Sequence, residues 1–156
     1  MPNLSQQLDI IDKLVAMMQA DTTLSDNFET FLDHIPDDLA GNAYPLLAVD
    51  WSGDTHRPVA VGGYRIVCSL FTILIATNDW EAKEARRNLV ELSGIVTDFL
   101  SKLSSMQQDG YWQRGKLAEG GQNVRVGRSD TSEGTTGFVY SALVLWEAEY
   151  RKAKVT

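Results

Sequence analysis

Gly110-Tyr111-Trp112-Gln113-Arg114-Gly115-Lys116 matches the first seven positions of G-x-x-x-x-G-K-[ST], a loop whose backbone N–H groups cradle phosphates. That chemistry needs a strand before the loop, a helix after it and a hydroxyl at the next position for magnesium. Here a helical pattern precedes, glycine-rich sequence follows and Leu117 stands where the hydroxyl belongs, so nucleotide binding is not expected. His34 and His56 are the only histidines, and neither has a cysteine or second histidine at metal-ligand spacing. His56 beside Asp54 and Arg57 is a weak polar grouping, and a solvated loop histidine is the simpler reading. Nucleophilic catalysis lacks its parts. No serine stands in a G-x-S-x-G elbow, and the single cysteine, Cys68, lies inside an apolar run with no evident base. A buried, inert thiol is expected there, and an internal disulfide is excluded. Asp37 and Asp38 are merely adjacent, while Glu147 and Glu149 share one face of a strand end, where they suit bridges to arginine or water. Neither pair marks two carboxylates facing each other across a cleft. The residues therefore predict no catalytic site, no metal and no cofactor.

A distributed surface remains. Gln107 to Gly137 carries seven glycines, four bases and four acids, and only Val124-Arg125-Val126 has the look of a strand. A loop of that length in a compact domain is usually functional or disordered. Within it Arg114, Lys116, Arg125 and Arg128 accompany Tyr111 and Trp112. Aromatic-basic loops can stack on nucleic acid, but here the acids offset the bases. Tyr, Trp and Arg are also the residues that dominate protein interfaces. Tyr111, Trp112, Arg114, Arg125 and Arg128 are thus the expected contact residues, with a merely mobile loop as the competing reading.

The elements that must position this surface centre on Tyr64 to Met106. Tyr64 to Thr77 (YRIVCSLFTILIAT) is apolar and β-branched on both alternating faces, as in a strand buried well inside a sheet. The period then changes: Ala85, Leu89, Leu92, Val96, Phe99, Leu103 and Met106 trace one stripe on a helix. Asn78 is the expected N-cap, with Glu81 completing a capping box and Glu84 adding negative charge to the first turn. Upstream, Leu4 to Ala20 predicts a first helix, with Leu8, Ile11, Leu14, Val15 and Met18 on its buried face. Residues 24–35 suit a short helix or an irregular packed segment. Leu46 to Trp51 predicts a short strand, and Ser52 to Gly63 a loop whose Val59-Ala60-Val61 could extend either flanking strand. Phe138 to Tyr150 closes the chain as a long aromatic strand. The expected fold is α+β: a mostly antiparallel sheet of about four strands, with helices packed on one face.

At 156 residues the chain reads as one domain, large enough to bury roughly 70% of the surface its unfolded form exposes. Its N-terminus, MPNLSQQLD, lacks the basic and apolar regions of a secretory signal, and no apolar run reaches the roughly 18 residues of a membrane span. A soluble protein made in a reducing compartment is expected. The net charge of −7 is unevenly placed. Residues 1–44 hold eight acids against Lys13 alone, whereas residues 45–156 are balanced at thirteen of each sign. The acidic part suits a solvated helix face, or a patch that repels DNA or meets a basic partner. Sequence-wide DNA binding is disfavoured, because it wants a basic footprint.

Several stretches together resemble a known family. Tyr44-Pro45-Leu46-Leu47-Ala48-Val49, Phe71 to Asn78 (FTILIATN), Glu84-Ala85-Arg86-Arg87 and Phe138 to Tyr150, in that order behind an N-terminal helix, look like the tail terminator proteins of long-tailed bacteriophages. The resemblance spans roughly Leu4 to Tyr150 and is one of pattern and order. It implies a non-enzymatic ring, typically hexameric, that caps the tail tube, stops its polymerisation and presents a surface to the head connector. The implied partners are further copies of the chain, the tail tube protein, a connector or neck protein and, in contractile tails, a sheath. The implied location is the tail-neck region of a virion assembled in the bacterial cytoplasm. Asp9, Asp12 and Asp21 would then line or rim a channel through which DNA passes without sticking. The alternatives are another neck or tail-completion protein, or a small monomeric domain that binds a peptide or nucleic acid.

Overall fold

The computed structural model describes residues 5–37, 39, 42–58, 63–79, 81–103, 108, 110–118, 127–130 and 138–153. Two helices open the chain, α1 (Gln6–Ala20) and α2 (Thr22–Asn27), followed by the strands β1 (Thr30–Leu32), β2 (Leu46–Pro58) and β3 (Tyr64–Asp79). The long helix α3 (Ala82–Leu103) leads to β4 (Arg114–Leu117), β5 (Gly127–Asp130) and β6 (Phe138–Ala153). The sheet runs β1-β2-β3-β6-β4, with β5 also paired to β6. Only β1 with β2 is parallel. The expected α+β, mostly antiparallel architecture is therefore what forms. It has six described strands rather than about four, and three of them, β1, β4 and β5, are short strands at the edges.

β3 is the centre because it can bury both faces. β2 pairs with it from Leu46↔Ala76 to Pro58↔Arg65, and β6 pairs with all sixteen of its residues. Val67, Phe71, Ile73 and Ile75 point to the face covered by the helices, where Leu47, Val49, Ala142, Val144, Trp146 and Tyr150 join them. α3 contributes Leu89, Leu92, Val96 and Leu100, and α1 contributes Ile10, Ile11, Leu14 and Met18. Each Val, Leu, Ile, Phe or Met side chain among them contributes about 1.5–3 kcal/mol when fully buried. The apolar stripe of α3 also carries buried Ser93 and Thr97, whose hydroxyls donate back along the helix to the carbonyls of Leu89 (2.7 Å) and Ser93 (3.0 Å). On the other face a smaller cluster of Leu46, Ala48, Leu74 and Ala76 is covered by Leu32, Ile35, Leu39 and Tyr44. Among the described residues no helix is long and apolar enough to cross a membrane.

Local expectations shift at four places. Asn78 is not a helix cap, because β3 continues through Asp79 by pairing with β6 as far as Phe138. The Asp79 carboxylate, not that of Glu81, holds the turn, accepting from Glu81 N at 3.0 Å. The segment after Trp51 is not a loop: β2 runs on to Pro58, with a bulge between Trp51 and Gly53 and φ of +142° at Gly53. Val59-Ala60-Val61 lies outside the described residues. On α1, Leu8 is half-exposed and Ile10 takes its place in the core. Residues 24–35 resolve into α2 and β1, and Asp21 caps α2 by accepting from Leu24 N at 3.0 Å.

Candidate functional site

Of the contact surface expected over Gln107 to Gly137, residues 108, 110–118 and 127–130 are described. Gln108 and residues 110–118 belong to an arm that turns on itself and then joins the sheet as β4. Gln108 and Trp112 make an isolated antiparallel bridge around Gly110, whose φ of +84° favours glycine. Gln6 at the start of α1 ties the turn down, its Nε2 donating to the carbonyls of Gly110 (3.2 Å) and Tyr111 (2.8 Å). Lys13 Nζ sits 5.2 Å from the centre of the Tyr111 ring, within reach of a cation–π contact. Gly115 and Lys116 lie in an extended strand paired with Ala148 and Glu147, not in a phosphate-cradling loop.

Trp112 corrects the interface expectation most clearly. It is only 1% exposed and packs edge-on against Trp146, with ring centres 5.2 Å apart at 80°. Trp146 in turn stands 6.0 Å from the Phe71 ring. Trp112 is thus packed into the core of the chain rather than displayed on its surface. Tyr111 is half-buried and Arg114 exposed on β4. Arg125 lies outside the described residues, as does all of 124–126, whereas the Arg128 backbone pairs with Tyr140 in β5. Of the five expected residues, the side chains of Tyr111, Trp112 and Arg114 are described, and the fold does not expose all three. It leaves Arg114 as the exposed one among those whose side chains are described.

The acidic residues are also sorted. Asp9 and Asp12 lie one turn apart on α1, Asp9 half-buried and Asp12 exposed. The Asp21 carboxylate is occupied as the α2 cap. Among the described residues no group of three or more His, Cys, Asp or Glu side chains could hold a metal ion.

A polar cluster not foreseen from the sequence joins α1 to the sheet. The Asp54 carboxylate accepts from Ser69 Oγ (2.6 Å), Trp51 Nε1 (2.9 Å) and Gln7 Nε2 (2.7 Å). Ser69 Oγ also hydrogen-bonds the Tyr150 hydroxyl at 3.1 Å. Burial pushes the Asp54 carboxyl up, but the hydrogen bonds from Ser69, Trp51 and Gln7, with His56 nearby, outweigh it and hold the group below its ordinary value. Burial raises the Tyr150 hydroxyl. Ser69 is completely buried, so this serine cannot meet a substrate, and the cluster fastens α1 and the β2 bulge instead. Cys68 is half-buried rather than wholly so, and its thiol is pushed up by burial and by Glu147 and Glu149, which keeps it protonated and unreactive.

The sign of the pH effect follows from that lowered carboxyl. Its stabilisation is fully present above the ordinary value of 3.8 and is lost as pH falls through the lower folded value. Asp54→Asn should therefore have a lower urea midpoint than the native chain at pH 7, and the gap should contract on going to pH 3. An equal gap at both pH values would mean that the ionised carboxylate is not what the cluster needs.

No protein-family model matches the chain, and no curated protein is similar to it. The geometry defines an α+β domain with a mostly antiparallel sheet, whose outer edges among the described strands are β1 on one side and β4 and β5 on the other.

Proposed function

We propose that this chain is a non-enzymatic assembly protein of the tail-terminator kind. It forms a homo-oligomeric ring, hexameric as the resemblance implies, that caps the tail tube of a long-tailed phage, ends its polymerisation and offers its far side to the head connector. The observation that carries this reading is the order and hand-off of the elements. An N-terminal helix precedes the strand led in by Tyr44-Pro45, the central strand passes into a long helix with two residues between, and an aromatic strand closes the sheet beside it. Those are the stretches on which the resemblance rests. The acidic bias of the N-terminal part, with Asp9 on α1, suits a channel rim that DNA passes without adhering, because like charge repels the phosphate backbone.

The test is tube growth in the presence of the purified chain. Polymerising tail tube protein should stop lengthening when the chain is added, and electron micrographs should show a ring on one tip of each tube. Tubes that grow on unchanged, with no density at either tip, would remove the terminator reading. A chain that binds isolated connector and ignores tubes would assign it to the neck instead, and saturable peptide or nucleic-acid binding by a stable monomer would make it a binding domain.

A further inference from the structure

The sheet ends at β1 on one side and at β4 and β5 on the other, and among the described strands neither outer edge is paired. Such edges are either protected or used for association. The two sides here are unlike. Beside β1, the strand and α1 enclose a groove of about 330 Å³. Half-buried Val15, Phe31 and Leu32 line it, and exposed Asp12 and Asp33 stand at its margin. At the opposite side β4 carries exposed Arg114 and Lys116 on one face of the strand, since Gly115 between them turns toward Trp146. Lys116 has Glu147 at 3.7 Å, a solvent-screened pair.

We propose that the α1–β1 groove of one copy receives the β4 edge of a second copy, with Arg114 and Lys116 opposite Asp12 and Asp33. This rests on the ring reading above for the existence of a self-contact, and adds which surfaces meet. Arg114 and Lys116, which stand in register with Glu149 and Glu147, carry the sign opposite to Asp12 and to Asp33, itself 2.8 Å from His34. Their aliphatic stems can cover the apolar lining of the groove while their charged heads reach its margin. The two surfaces lie at opposite ends of one sheet and differ from each other, so the contact is heterologous. Each copy then uses both, and the chain of contacts propagates until it closes.

Charge reversal in the full chain tests this, with solution mass by light scattering as the readout, alone and with tail tube protein present. Asp12→Lys/Asp33→Lys makes both surfaces basic, and Arg114→Glu/Lys116→Glu makes both acidic. Either double variant should lose at least about tenfold in self-association, roughly the effect of 1.4 kcal/mol. Mixed in equal amounts, the two should associate again, and a chain carrying all four reversals should recover self-association. That recovery separates a broken contact from a broken fold. Should the native chain associate while neither reversal weakens it, or while mixing restores nothing, the ring reading stands and this contact is wrong. If tube binding alone responds to the reversals and self-association does not, the groove serves another protein and the inference is overturned. A native chain that stays monomeric both alone and on tubes removes the ring and this contact together.

Discussion

Replacing Trp112 with alanine should lower the stability of the fold by about 3–5 kcal/mol, the usual cost of truncating a large buried aromatic side chain. The whole domain is expected to hold only about 5–15 kcal/mol, so the variant should sit close to unfolding at room temperature. The size of the effect follows from position. Trp112 is 1% exposed, its ring meets Trp146 edge-on, and it belongs to the main core with residues of α1, α3 and the sheet. Removing the indole opens a void between the arm and the sheet, where the Gln6 hydrogen bonds, the Lys13–Tyr111 contact and the β4 pairing also hold the arm. Arg114→Ala, two residues on and exposed, should change the unfolding free energy measured in urea by no more than about 0.5 kcal/mol. A Trp112→Ala chain with native stability and impaired assembly would reverse the assignment and return Trp112 to an interface.

That contrast shows where sequence reasoning ends. An aromatic next to arginines in a glycine-rich stretch has the composition of an interface, and nothing local distinguishes it from an aromatic that folds inward. What decides is Trp146, thirty-four positions later in the chain, which provides the surface that Trp112 covers. The passage from β3 to α3 was legible because a period of two gives way to a period near 3.6 within a few residues, and both patterns are long. Its boundary was less so, since Asn78 and Asp79 both suit a cap and only the pairing with Val139 and Phe138 keeps them in the strand. The second half of β2 was misread for a physical reason. Ser52, Gly53 and Asp54 are turn formers by propensity, yet the partner β3 is long enough to carry them past a bulge, so tertiary pairing overrides local preference. The Asp54 cluster was invisible because Gln7, Asp54, Ser69 and Tyr150 come from four separate elements. The acidic bias of residues 1–44, by contrast, was plain in the sequence; what the fold adds is a groove to put it beside.

Gly115→Ala should destabilise the fold by about 1–3 kcal/mol, the cost of forcing atoms into a filled core, and should lift β4 from the sheet. A Cβ at Gly115 would lie 2.5 Å from Trp146 Cζ2 and 3.1 Å from Cε2. The indole cannot retreat, because it is completely buried with Trp112 on one side and Phe71 on another. β4 is the part that can yield: it has four register pairs to β6, extended by Gln113 N to Glu149 O at 2.8 Å and Ala118 N to Leu145 O at 3.1 Å. The expected signature is a loss of hydrogen-exchange protection at the β4 amides, larger than the loss elsewhere, together with a lower urea midpoint. Since β4 carries Arg114 and Lys116, self-association through that edge should fall as well. Trp146→Phe supplies the control. A smaller ring leaves a void on its own, costing stability, but it removes the atoms that the alanine methyl would strike. Combined with Gly115→Ala it should cost less than the two single changes added together, because residues in contact couple. Strictly additive losses would mean that β4 does not lie across Trp146, and the glycine between the two basic residues would then have no packing reason to be there.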